Sequence, residues 1–252
     1  MKQDDERTKQ LENILDKLYE NWREVRRETI AELGEAESLK IIDFHANNWI
    51  DITRWIGSKY ERSEQMNIVS FQFSRCFKEI YWLQFLFYTG NYSTGYRNLR
   101  YVLEMMSQAY YVDAKYPDLG LDDQFVRARE IEEHIWGWNI VKAALSLALS
   151  KRDSEVRACF KPLWNELNQY VHPSVALLDS IALEDFSSLV TDSFSRNLAM
   201  DFLHITDRVF DVTYALVLKK FLKTRESALG YEFLHEWEEC LPTTISVIRA
   251  DY

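Results

Sequence analysis

Apolar residues recur at helical spacing along almost the whole chain. Leu11, Leu18 and Val25 stand seven apart, with Leu15 and Trp22 beside them and charges on the remaining faces. This stripe predicts a helix from about Gln3 to Leu33, ended by Gly34. Its two heptads are too short to make a stable coiled coil alone. A second helix is expected from about Glu37 to Gly57, with Ile42, Trp49, Ile52 and Trp55 as its apolar set. The third, about Ser63 to Thr89, is apolar almost all round near its end, IYWLQFLFY. A helix without a polar face is central in a bundle or covered by a partner chain.

Gly90 and Asn91 interrupt the pattern, and a fourth helix is expected from about Ser93 to Lys115, stopping before Pro117. The fifth spans about Asp122 to Ser150, with a disturbance near Gly137. The sixth ends at His172, because Pro173 cannot continue the hydrogen-bond ladder, and Pro162 kinks it or marks its start. From Ser174 to Ser193 the pattern weakens to short pieces or a loop. The longest clean stripe then alternates steps of four and three through Leu198, Phe202, Ile205, Val209, Val212 and Leu216, and ends before Gly230. A short last helix, Tyr231 to Cys240, stops at Pro242, leaving the tail as a loose or docked end. The expected fold class is all-α. It is a single multi-helix bundle of long antiparallel helices (residues 35–252) with an N-terminal helical extension (residues 1–34).

Composition agrees with the pattern. Only 7 Gly and 4 Pro occur in 252 residues, too few for the turns of a sandwich or barrel. Aromatic residues are 14% of the chain, enough for a rigid, ring-rich core. The net charge of −10 excludes nonspecific coating of nucleic acid, although a local basic patch is compatible with it. Cys76, Cys159 and Cys240 are far apart and odd in number, which predicts reduced thiols in a cytoplasmic protein. The first ten residues are too charged for a signal peptide, and no apolar run is long enough to span a bilayer.

Two stretches carry candidate chemistry. In the first, Trp164 to Ser174, His172 closes a helix whose unpaired carbonyls favour a cation, and Asn168 shares its face. Such a histidine can donate to a phosphate or carboxylate, or simply to the preceding turn. In the second, Gly95 to Glu104, Arg97, Arg100 and Glu104 lie on adjacent turns among apolar neighbours. Arg100 and Glu104 form either a structural clamp or the polar floor of a site, because Arg reads phosphate or carboxylate with paired donors.

An Arg-x-x-x-Glu helix after a Gly, followed about seventy residues later by Tyr-x-His-Pro-Ser, resembles the HEPN-like helical-bundle superfamily. The likeness covers about Gly90 to Leu222. It is nearest to uncharacterised prokaryotic members and to relatives of abortive-infection proteins. It implies a helix-held homodimer and a setting in phage defence or toxin–antitoxin pairs. In active members it also implies a metal-independent ribonuclease built on an Arg and a His a few residues apart. His172 matches that His, but Asn165, Glu166 and Leu167 occupy the positions for the Arg. A nuclease would therefore use His172 as general acid or 2′-hydroxyl activator and borrow its cation from Arg100 or Arg97.

Other constellations are weaker. Arg127 and Arg129 ahead of His134 match the same signature at a spacing expected by chance, and read as a solvated charged face. Ile131 stands where a Glu-x-x-His metal motif needs its Glu. Asp43, Asn47 and Asp51 line one helix face, with His45 pointing away from it. No metal and no cofactor is implied. The resulting expectation is a non-catalytic bundle that binds a protein partner or ligand through Glu104, Asn168, Tyr170 and Ser174 near Arg100 and His172. The alternative is the divergent ribonuclease, with RNA as its partner and no role for a membrane.

Overall fold

The structure is a computed structural model and describes residues 2–169, 194–222 and 241–250. Its elements among these residues are all helical. In order they are α1 (Lys2–Leu33), α2 (Glu35–Lys40), a π-helical turn (Ile41–Ala46), α3 (Asn47–Lys59), α4 (Arg62–Gln65) and α5 (Ile68–Thr89). Then come α6 (Tyr92–Lys115), α7 (Leu121–Glu132), α8 (Trp138–Ala148), α9 (Asp153–Gln169), α10 (Arg196–Phe221) and α11 (Pro242–Ala250).

Helix α5 begins at Asn67, whose side chain accepts from the Ser70 N–H at 3.0 Å. It ends at Gly90, left-handed at φ 73°, where a side chain is strained. Asn91 then caps α6 by accepting from the Thr94 N–H at 3.2 Å. Two adjacent residues thus close one long helix and open the next.

Helices α5, α6 and α10 form the centre. Leu83, Phe87, Leu99, Val102, Met106 and Phe210 are buried there. Phe202 of α10 lies against Phe87, Tyr92 and Tyr96, with ring centroids 6.2, 5.7 and 5.4 Å away. At Gly95 α6 lies hard against α10: an added Cβ would lie 2.4 Å from the Phe202 ring. A buried ion pair, Lys220 Nζ to Asp113 at 2.6 Å, ties α10 to α6. Gln124 of α7 donates to that Asp113 at 3.3 Å and accepts from the Ile68 N–H at 2.9 Å, so one amide serves three helices.

The structure corrects several sequence expectations. The second helix carries a π-turn. The fifth is two helices broken at Gly137, whose φ of 61° stops α7 from running into α8. Pro162 sits inside α9. Pro242 starts a helix instead of ending one, and α11 docks on α10 where Asp211 caps it. Leu198 is exposed, and the buried stripe of α10 starts at Ala199 and Phe202. Among the described residues the longest helix is α1, with 32 residues. Val25 and Thr29 in its C-terminal half are buried, whereas Leu15 and Tyr19 are exposed. The helix expected over residues 231–240 and the weak segment 174–193 lie outside the described residues, as does Cys240. No described helix is long and apolar enough to cross a membrane.

Candidate functional site

Arg100, Glu104 and Asn168 meet where α6 crosses α9. Arg100 Nε donates to Glu104 Oε1 at 3.0 Å, and Nη1 donates to Asn168 Oδ1 at 2.8 Å. The guanidinium lies over the ring of buried Trp164, 4.8 Å from its centroid. The Arg100 side chain is 14% exposed. Its charge is therefore matched by a carboxylate, an amide oxygen and a ring face. This is the closed form of the arrangement, a clamp between two helices. Arg97 is exposed on the preceding turn. Tyr170, His172 and Ser174 lie outside the described residues.

A second polar centre was not visible in the sequence. His45, on the π-turn, is 0% exposed. Its Nε2 is 3.0 Å from Asp207 Oδ1, and Lys40 Nζ is 2.9 Å from Asp207 Oδ2. Asp207 can only accept from Lys40, so the neutral imidazole carries its proton on Nε2. Tyr214 closes the other side, donating to the His45 carbonyl at 2.8 Å, and Phe210 stacks on the ring at 4.7 Å. Lys40 and His45 are five apart, a spacing that shares no face on an α-helix but does on a π-turn. Asp43 and Asn47 are exposed on the opposite side, so His45 indeed points away from them.

The electrostatics of this centre are divided. Burial raises the Asp207 carboxyl, but the hydrogen bonds from His45 and Lys40 outweigh it and hold the group below its usual range. One turn on, burial raises Asp211, partly offset because it accepts from the Thr243 and Thr244 N–H groups at the start of α11. His45 is lowered by burial, against the pull of Asp207. The unfolded chain therefore takes a proton below about pH 6.5 that the folded chain refuses, and stability falls as pH drops through that value. The melting temperature should be lower at about pH 5.5 than at pH 7.5, with a smaller difference in His45→Gln. An equal difference in both proteins would assign the acid loss elsewhere.

A cavity of about 290 Å³ is lined by Lys40, Phe44, His204, Asp207 and Arg208. It presents Asp207 and Lys40 and keeps His45 behind them, so the imidazole has no described route to a substrate. A cavity of about 310 Å³ lies beside Glu104, between α5, α6 and the α7–α8 turn. On the outer face of α5, Trp82 and Phe85 are 46% and 41% exposed and stack at 5.1 Å. Phe85 meets Trp22 of α1 at 5.6 Å, and Trp22 meets exposed Tyr19 at 5.4 Å. These four rings form an open row across two helices.

Comparison with protein-family models, curated proteins and solved structures returns no match. Functional assignment rests on the geometry, and the HEPN-like resemblance on its two motifs. Among the described residues no group of His, Cys, Asp and Glu is arranged to hold a metal ion.

Proposed function

We propose that this chain is a non-catalytic helical-bundle protein that acts through protein association, with a second copy of itself on the aromatic row. The single observation that carries this reading is the row Tyr19–Trp22–Phe85–Trp82, in which Tyr19, Phe85 and Trp82 are exposed and Trp22 is half-buried between them. Rows of Trp, Tyr and Phe at a surface are typical centres of binding energy. Leu15 extends the row along α1, where nothing described covers it. A second copy matches in charge as well. Glu12, Asp16 and Glu20 are exposed along α1, and Lys78 is exposed along α5. Laying α1 of one protomer on α5 of the other sets acid against base twice under twofold symmetry. The homodimer implied by the HEPN-like resemblance agrees with this pairing.

Light scattering at micromolar concentration should give twice the chain mass of 30.0 kDa. Trp82→Glu combined with Phe85→Glu should return a monomer with unchanged circular dichroism, because both rings are surface groups. A wild-type mass of 30.0 kDa would end this reading. Bulk RNA incubated with the protein in EDTA should stay intact. Cleavage abolished by His172→Ala would establish the ribonuclease alternative instead.

A further inference from the structure

The cavity beside Glu104 differs in chemistry from the others. Its wall carries two carboxylates, Glu104 and Glu132, two aromatic side chains, Tyr101 and Trp136, and the amides of Gln72 and Gln108. Met105, Ile135 and Ile140 supply the apolar part, and no Lys, Arg or His lines it. Its volume of about 310 Å³ is at the small end of ligand sites.

The polar groups have capacity to spare. Glu104 gives Oε1 to Arg100, which leaves Oε2. Glu132 is exposed and has no ion pair or hydrogen bond among the described residues. Gln108 donates its amide to the Ala128 carbonyl at 2.8 Å, leaving its oxygen free to accept. Gln72 is 9% exposed, and its oxygen accepts from Arg75 Nη1 at 3.2 Å. Its amide NH2 has no acceptor among the described residues. Arg75 also donates to the Tyr101 hydroxyl at 3.0 Å, so this nearby cation is already engaged.

Trp136 is the decisive residue. It is 70% exposed, the most exposed large hydrophobic side chain among the described residues. It stands immediately before Gly137, whose left-handed backbone turns the chain there. Gly137 in turn lies against Trp164, where a Cβ would be 3.5 Å from the ring. The neighbouring rings already hold cations on their faces, Arg100 over Trp164 and Lys161 Nζ 4.9 Å from the centroid of Trp138. A ring at the cavity edge, unneeded by the core, beside the unpaired Glu132 carboxylate and the open Oε2 of Glu104, is the chemistry that selects an organic cation.

We propose that this cavity binds a small organic amine, protonated or quaternary, between the Tyr101 and Trp136 rings and the Glu104 and Glu132 carboxylates, independently of the dimer face. The charge of the amine meets the carboxylates, its carbon substituents meet the rings, and an oxygen on it would satisfy the Gln72 amide. An anion finds no cationic partner on this wall.

The test is an NMR titration that follows the indole N–H of Trp136, assigned by its loss in Trp136→Phe. Choline chloride and putrescine are each added to about 50 mM against NaCl controls, enough to detect millimolar sites. The neutral carbon isostere of choline, 3,3-dimethylbutan-1-ol, is run alongside. At least one amine should shift the Trp136 resonance saturably, and the isostere should bind at least about tenfold more weakly. Glu132→Gln should weaken the amine by about threefold or more, and Trp136→Leu should remove it as read from choline or putrescine line broadening. Both residues are exposed and have no side-chain partner among the described residues, so these variants keep the fold. A silent Trp136 with both amines overturns the proposal. So does equal binding of the isostere, or wild-type affinity in both variants. Binding of a lysine-containing peptide while both small amines fail also overturns it.

Discussion

Arg100→Ala is expected to destabilise the protein by about 2–4 kcal/mol, read as a shift of the urea midpoint at unchanged slope. The side chain is mostly buried and joins α6 to α9 by three different contacts. Its removal strands Glu104, uncovers one face of Trp164 and leaves the Asn168 oxygen without its donor. Arg100→Lys should recover only part of the loss, because an ammonium has no plane to stack on the indole and no fork to reach both oxygens. Full recovery by Lys would mean that charge alone holds the contact. A loss under about 0.5 kcal/mol, the range of a surface substitution, would mean that the clamp contributes nothing and that Arg100 is available for a ligand.

Gly95→Val should cost about 3 kcal/mol or more. Replacing a helical glycine normally gains stability, since glycine has poor helix propensity. Here the Phe202 ring occupies the space that a Cβ needs, and that ring is fixed by Phe87, Tyr92 and Tyr96. Phe202→Leu is destabilising alone, yet in the double variant it should remove a large part of the valine penalty, a coupling that a double-mutant cycle measures. A stabilising Gly95→Val would show that α6 and α10 are not in close approach.

The helical architecture was legible because burial imposes the 3.6-residue period wherever a helix lies on the core. Gly34, Gly90 and Pro117 marked true boundaries for the same local reason, backbone conformation. Pro242 misled because proline is compatible with the first turn of a helix as well as with its end, and Pro162 does not mark a start because it lies in the middle of α9. The Arg100–Glu104 pair was readable from its spacing, and Asn168 from its place one turn before His172. The centre at His45 was not. Asp207 is distant in sequence, and Lys40 shares a face with His45 only because the backbone departs from α geometry. The third helix posed an open choice between core and interface, and the structure gives it one buried and one exposed face. Leu83, Leu86 and Phe87 are buried, while Tyr81, Trp82 and Phe85 are outside. Periodicity cannot separate these faces when both are aromatic or aliphatic.

The π-turn at Ile41–Ala46 acts as a phase shifter. An α-helix advances about 100° per residue, and the wider turn spreads one surplus residue over the same angle, so α3 resumes with its buried face in line with that of α2. The apolar positions before and after it therefore belong to two different registers that happen to share one axis. Chain length is fixed there to within that one residue. Removing Phe44 would restore an ordinary α-helix with Lys40 and His45 four apart on one face, whereas a second surplus residue would turn either Ile41 or Ile52 and Ile56 away from the core. The turn at Tyr116–Gly120 carries no such phase between its helices, so a residue gained there lengthens a surface bend and leaves every buried face where it was.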